Sequence, residues 1–170
     1  MGLFSSTTLD SFETLFLDQL QDLYDAEQRL TKALPKMAAA AHSTGLRSAF
    51  EQHLRETQNQ VTRLERVFKI MGKSAQSKTC AAMKGLIKEG DEAISAKGDP
   101  NVKDAALIAA AQRVEHYEIA GYGTAKAFAK RLGRQDAAQI LQESLSEEQA
   151  ADSKLNQLAE QSVNPQAAMA

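Results

Sequence analysis

The sequence predicts an all-α protein: four long helices in one bundle, with a long crossover that carries one or two short helices between the second and third. Three observations predict it. Across 170 residues there are 9 glycines, 3 prolines and no tryptophan, with aromatic residues at 5%, while the helix formers Ala, Leu, Glu, Gln and Lys dominate. Apolar residues recur at alternating steps of three and four along four stretches. Turn chemistry bounds those stretches at Ser43 to Gly45, at Gly72, at the Lys97 to Asn101 segment and at Gly133. The expected organisation is a lead-in over 1–10, a bundle over 11–160 and a fraying tail over 161–170, which includes Pro165 and small residues.

The first helix is expected to begin near Ser11, with Asp10 and Glu13 as a capping box. Its seam reads Phe16, Leu20, Leu23, Glu27, Leu30, Leu34 and Met37. Pro35 falls inside that pattern, so a kink is expected near Thr31 to Leu34. A second helix, Leu46 to Met71, has Phe50, Leu54, Thr57, Val61, Leu64 and Phe68 on its apolar face, beside a polar line of His53, Glu56 and Gln60. The short loop between them makes the two antiparallel neighbours. Ala82, Met83, Leu86, Ile87 and Ile94 mark the crossover, expected to be interrupted at Gly90. A crossover of this length makes the second and third long helices parallel.

Asp99 as N-cap and Pro100 at the first helical position announce the third long helix, which ends at Gly133. Its seam is Leu107, Ala111, Val114, Glu118, Gly121, Ala125, Phe128 and Leu132, with Glu115 beside it. The fourth, Arg134 to Glu160, has the seam Ala138, Leu141, Leu145, Glu148, Asp152, Leu155 and Ala159. Glu27, Glu56, Glu115, Glu118, Glu148 and Asp152 thus lie within about one turn of the midpoints of their helices. Six carboxylates are expected at one level of the core.

An unpaired buried carboxylate shifts its pKa, finds a cation or binds a metal. Any one seam glutamate is as readily a snorkelling surface residue, but four helices sharing one level argue against that for the set. Protein cations are the competing explanation, and Arg55, Arg63, Arg113 and Lys126 fall outside the seams. Carboxylates from four helices can hold two divalent ions, and oxygen-rich ligation suits iron or manganese better than structural zinc. Met37, Met71 and Met83 read as core filler, Cys80 as a buried or edge thiol, and Tyr24 as packing.

The segments LYDAEQRLTKALPKMA, HLRETQNQVTRLERVF, VEHYEIAGYG and EEQAADSKL together resemble the YciE/YciF-type stress proteins of the ferritin-like superfamily. The resemblance spans nearly the whole chain. It implies a ferritin-like four-helix bundle, a dinuclear iron site and a homodimer. In the wider superfamily pattern the first and third helices each give a Glu, matched by Glu27 and Glu115, while the second and fourth each give Glu-x-x-His. Glu56 and Glu148 match those glutamates, but Asn59 and Ala151 stand where the histidines belong. Gln60 and Asp152, one residue further on, are the replacement candidates. Glu118 is an added carboxylate, and His53 and Tyr122 are candidates for a further ligand or an orienting contact; His116 points off the seam.

The function so implied is a cytoplasmic stress-response protein with two iron ions, or manganese, that reacts with peroxide or oxygen. The alternative is a non-catalytic structural or interaction protein whose acid cluster is vestigial or a metal staple. The formal net charge of −2 comes from interspersed signs, which argues against nucleic acid as a partner and against a DNA-protecting cage. No apolar run approaches membrane-spanning length, no signal-peptide pattern opens the chain, and a lipid-surface array would keep its acids on the polar face. The single cysteine suits a reducing compartment.

Overall fold

The computed structural model describes residues 8–170; most of the expected lead-in lies outside them. Helix α1 spans Phe12–Ala40, α2 Thr44–Ile70, α3 Ala81–Ser95, α4 Pro100–Arg131 and α5 Gln135–Leu158. The four long helices form the bundle, and α3 lies in the crossover against α1 and α4. Contacts along the helices fix their directions. Phe12 at the start of α1 stacks on Phe128 near the end of α4, with ring centroids 4.8 Å apart. Asp104 at the start of α4 reaches the loop that begins α2, so α2 and α4 run parallel, as a long crossover requires.

The α1 cap is Ser11, not Asp10. Its backbone is extended and its hydroxyl accepts from the Thr14 amide at 3.0 Å while pairing with the Thr14 hydroxyl, so it already supplies what a capping box would. α1 continues through Pro35 to Ala40, because Leu34, Met37 and Ala38 on its buried face hold the last turn in place against the donor lost at proline. The crossover holds one helix and Gly90 does not interrupt it. Gly90 is buried where α3 meets α1, and a Cβ there would lie 3.7 Å from the Met37 sulfur. Asp99 and Pro100 start α4 as expected, and Gly133, with φ of +72°, ends it in the left-handed conformation.

The tail departs from expectation. α5 passes into a π-helical turn, Ala159–Val163, and then into α6, Asn164–Ala167. Val163 is only 1% exposed and joins the core near Leu46 and Leu155, which anchors a segment expected to fray. Pro165 sits in the first turn of α6, where its missing N–H is harmless.

Asp104 is a buried seam acid with a structural role. Its two carboxylate oxygens accept from the backbone amides of His42 and Ser43 at 2.8 and 2.6 Å, tying α4 to the start of α2. Hydrogen bonds to a charged group are worth about 1.5–3 kcal/mol, so Asp104→Ala is expected to lower unfolding free energy by roughly 2 kcal/mol. Urea denaturation checks this; an unchanged midpoint would show that the clamp contributes nothing.

Candidate metal centre

Two apolar clusters fill the bundle, one at each end. One contains Phe16, Leu20, Leu23, Leu64, Tyr122 and Leu145; the other contains Leu30, Leu34, Phe50, Leu107, Val114 and Leu155. Between them lies a polar layer. Glu27 from α1, His53, Thr57 and Gln60 from α2, Glu115 and Glu118 from α4, and Glu148 from α5 are all buried there. α1, α4 and α5 place their acids inward because the apolar residues at i±3 and i±4 face the same core, whereas α2 turns His53, Thr57 and Gln60 inward.

One donor atom from each of His53, Glu115, Glu118 and Glu148 lies within 4.8 Å of the others. His53 Nε2 is 3.4 Å from Glu115 and 3.6 Å from Glu148, and Nδ1 is 3.5 Å from Glu56. These are charge contacts at distances where hydrogen bonding is weak, and both ring nitrogens lack a hydrogen-bond partner. So do both Glu118 oxygens and one oxygen each of Glu27, Glu115 and Glu148. Buried polar atoms are normally paired. An inward-facing set of orphaned carboxylate oxygens and an imidazole is what a divalent cation satisfies, so the residues fit a metal.

The partners that are made hold the acids in place. Tyr122 donates its hydroxyl to Glu27. Gln60 donates its amide to Glu148 and also to Glu147, the latter at 3.1 Å. Arg63 clamps Glu147 through two nitrogens at 2.5 and 2.7 Å. This charge pair therefore supports the amide that orients Glu148.

Burial pushes the Glu27 carboxyl up to about 8, against the opposing pull of its Tyr122 hydrogen bond and of His53. Glu148 is pushed to about 7 by burial, again against His53. Glu115 and Glu118 also stand well above the usual carboxylate range, burial first and neighbouring carboxylates next. For His53 burial disfavours the charged ring, yet Glu115, Glu56, Glu148 and Glu27 together raise it to about 10. Without metal, the layer as a whole keeps more protons than the same groups do in water.

The comparisons with known proteins agree with this architecture. A family described as a domain of unknown function, DUF892, matches residues 11–168. The chain belongs to the DUF892 family. Protein YciF of Escherichia coli K12 is 45% identical over 160 residues, covering 94% of this chain and 96% of that protein. The crystal structure of the E. coli stress protein YciF superposes with a TM-score of 0.88 at 46% identity, covering 91% of this chain and 98% of that one. YcfI of Rhodopseudomonas palustris, provisionally classed as a structural protein, gives a TM-score of 0.86 at 48% identity, covering 90% and 98%. Membership of DUF892 and the likeness to YciF meet the family resemblance read from the sequence, and the helical bundle is shown.

Within this DUF892 chain the expected site residues divide into two groups. Glu27, Glu115, Glu118 and Glu148 are brought together in the buried layer, with His53 among them. Glu56 and Asp152 lie at its margin, with side chains 26% and 19% exposed. Glu56 accepts from Gln52 and faces His53, whereas Asp152 faces the exposed His116 and accepts from Asn156. Gln60 turns its amide nitrogen toward carboxylates, which makes it an orienting group. The imidazole of the layer comes from His53, one turn before Glu56 and not one turn after it. Glu147 and Arg63 were not foreseen as site residues. Their signal was the i+3 step from Gln60 to Arg63, which puts both on the face toward α5.

Proposed function

We propose that the polar layer is a dinuclear non-haem metal centre, binding iron or manganese, through which the protein reacts with peroxide or oxygen. Glu27, His53, Glu115, Glu118 and Glu148 would hold the ions, with Glu56 and Asp152 as outer carboxylates. The observation that carries this reading is the set of buried donor atoms without hydrogen-bond partners. Charge supports the number of ions: metal binding requires the four buried carboxyls to be deprotonated, and two divalent cations would offset the four negative charges. The donor set, rich in carboxylate with one imidazole, suits iron(II) or manganese(II).

When bound, such ions supply electron transfer and Lewis acidity to a small oxidant. The chain's own residues do the rest. Glu115 and Glu148 both converge on His53 Nε2 and would hold the ions from α4 and α5. Gln60 and Tyr122 keep Glu148 and Glu27 oriented, and the apolar clusters cap the layer toward both ends of the bundle. The single buried Cys80 fits a reducing compartment, and we assign the cytoplasm. No helix of the described residues is long and apolar enough to cross a membrane.

One observation favours a second reading. A protonated His53 between Glu115 and Glu148 offsets part of the charge from within, so the layer could serve as a metal staple or a purely internal ion network. Anaerobic titration with iron(II), followed by oxygen or peroxide, separates the two. The first reading expects about two ions per chain and a ferric oxo-bridged absorption band on oxidation. Uptake without any spectral change would favour the staple, and no uptake would overturn both metal readings.

A further inference from the structure

Two openings reach Glu115, and they differ in size and chemistry. Between α1, α3 and α4 lies an apolar crevice of about 30 Å³, walled by residues such as Leu34, Met37, Ile87 and Val114. That volume accommodates little more than a water molecule or two. Between α2 and α5 lies a cleft of about 290 Å³, with Gln52, Glu56 and Lys154 on its walls and His53 and Glu115 among its lining. Ala49, Ala150 and Ala151 also line it, and their short side chains leave the space between α2 and α5 unfilled.

We propose that the α2–α5 cleft is the solvent entrance to the polar layer, and that Glu56 on its wall is the first carboxylate an incoming divalent cation meets. Two features carry the assignment. His53 is 5% exposed, has no hydrogen-bond partner on either nitrogen, and lines this cleft and not the apolar crevice. Of the two half-buried carboxylates, Glu56 is the one that lines this cleft, with Oε2 3.5 Å from His53 Nδ1, so it spans the distance between solvent and the buried donors. A hydrated cation loses water in steps, and a carboxylate that is both wet and next to the inner donors replaces that water before the ion is fully buried. Gln52, His53, Glu56 and Lys154 give small hydrophilic species, hydrated cations and peroxide among them, polar partners along an otherwise apolar lining.

The cation's part in this proposal rests on the metal reading; the solvent path does not. The test therefore has a metal-free arm. Deuterium exchange at the His53 Cε1 position is followed by mass spectrometry on the metal-free full-length protein, in wild type, Ala151→Phe, Ala49→Phe and, as control, Ala33→Leu at the apolar crevice. Filling the cleft is expected to slow His53 exchange at least fivefold in one or both phenylalanine variants, with the control unchanged. Folded phenylalanine variants that exchange at the wild-type rate, or slowing in Ala33→Leu alone, would overturn the entrance. In the second arm cobalt(II) uptake is followed by visible absorption. Glu56→Gln is expected to slow the rate of cobalt(II) uptake about tenfold. Unchanged rates in Glu56→Gln would remove Glu56 from the path, and absence of cobalt binding in wild type would overturn the metal reading and Glu56's role with it, while the His53 exchange still decides the entrance.

Discussion

Glu115→Ala and Glu148→Ala are each expected to purify without stoichiometric metal, with affinity for manganese(II) or iron(II) reduced by more than about 100-fold. Loss of a group that only orients a ligand already weakens metal sites by about 10- to 100-fold, so loss of a direct carboxylate ligand should exceed that. Both residues contact His53, and each has an oxygen with no other partner. Burial raises both carboxyls, so each variant loses an acid that is costly to ionise in this layer, and the metal-free variants should keep a cooperative unfolding transition. Loss of metal with that transition retained distinguishes a lost ligand from a damaged fold. Elemental analysis with thermal denaturation of the metal-free forms checks it; full metal content in both variants would refute the ligand assignment.

Metal-free protein is expected to lose stability as pH rises from 5.5 to 8.5. The Glu27 carboxyl rises from 4.5 to about 8 on folding and Glu148 from 4.5 to about 7, both through burial, while His53 rises from 6.5 to about 10. In every case the native state holds the proton more tightly than the unfolded chain. Stability from such groups is complete below the unfolded value and disappears as pH climbs through the folded one. The carboxyls thus act from about pH 4.5 to 8 and His53 from 6.5 to 10, all in the same direction. The slope is about 1.4 kcal/mol per pH unit for each excess proton held. Urea midpoints in the presence of chelator measure it, and a midpoint that holds or rises by pH 8.5 would contradict the buried, proton-rich layer. Added metal should reverse the trend, because its ligands must be deprotonated to bind it.

Much of this was legible in one dimension because helices write their buried face into the chain at a fixed period. The seams through Leu23, Glu27 and Leu30, and through Leu145, Glu148 and Leu155, located the core and its acids together. Asp99 with Pro100, and Gly133, marked helix ends by local chemistry that needs no tertiary contact. The same rule could not rank the acids it found. Asp104 continues the α4 seam through Leu107 and is as buried as Glu115, yet it binds backbone amides of the α1–α2 loop. Glu56 and Asp152 have helical spacing equal to that of their neighbours but fall at the edge, because the angle at which α2 meets α5 sets which side of a helix is covered. The tail shows the same limit: Val163 is buried by a pocket formed from other helices, a fact absent from the composition of residues 161–170.

The sequence by itself determined the order and inward face of the four long helices, the family, and the meeting of acids from α1, α4 and α5 at one height. Periodicity and capping are properties of neighbouring residues, so they survive without knowledge of the fold. Only the tertiary structure decided that His53 enters the acid layer, that Gln60 and the Arg63–Glu147 pair orient Glu148, and that Glu115 can be approached between α2 and α5. Those depend on distances between side chains on different helices, which rotations of a few tens of degrees about each helix axis would change while leaving every sequence pattern intact.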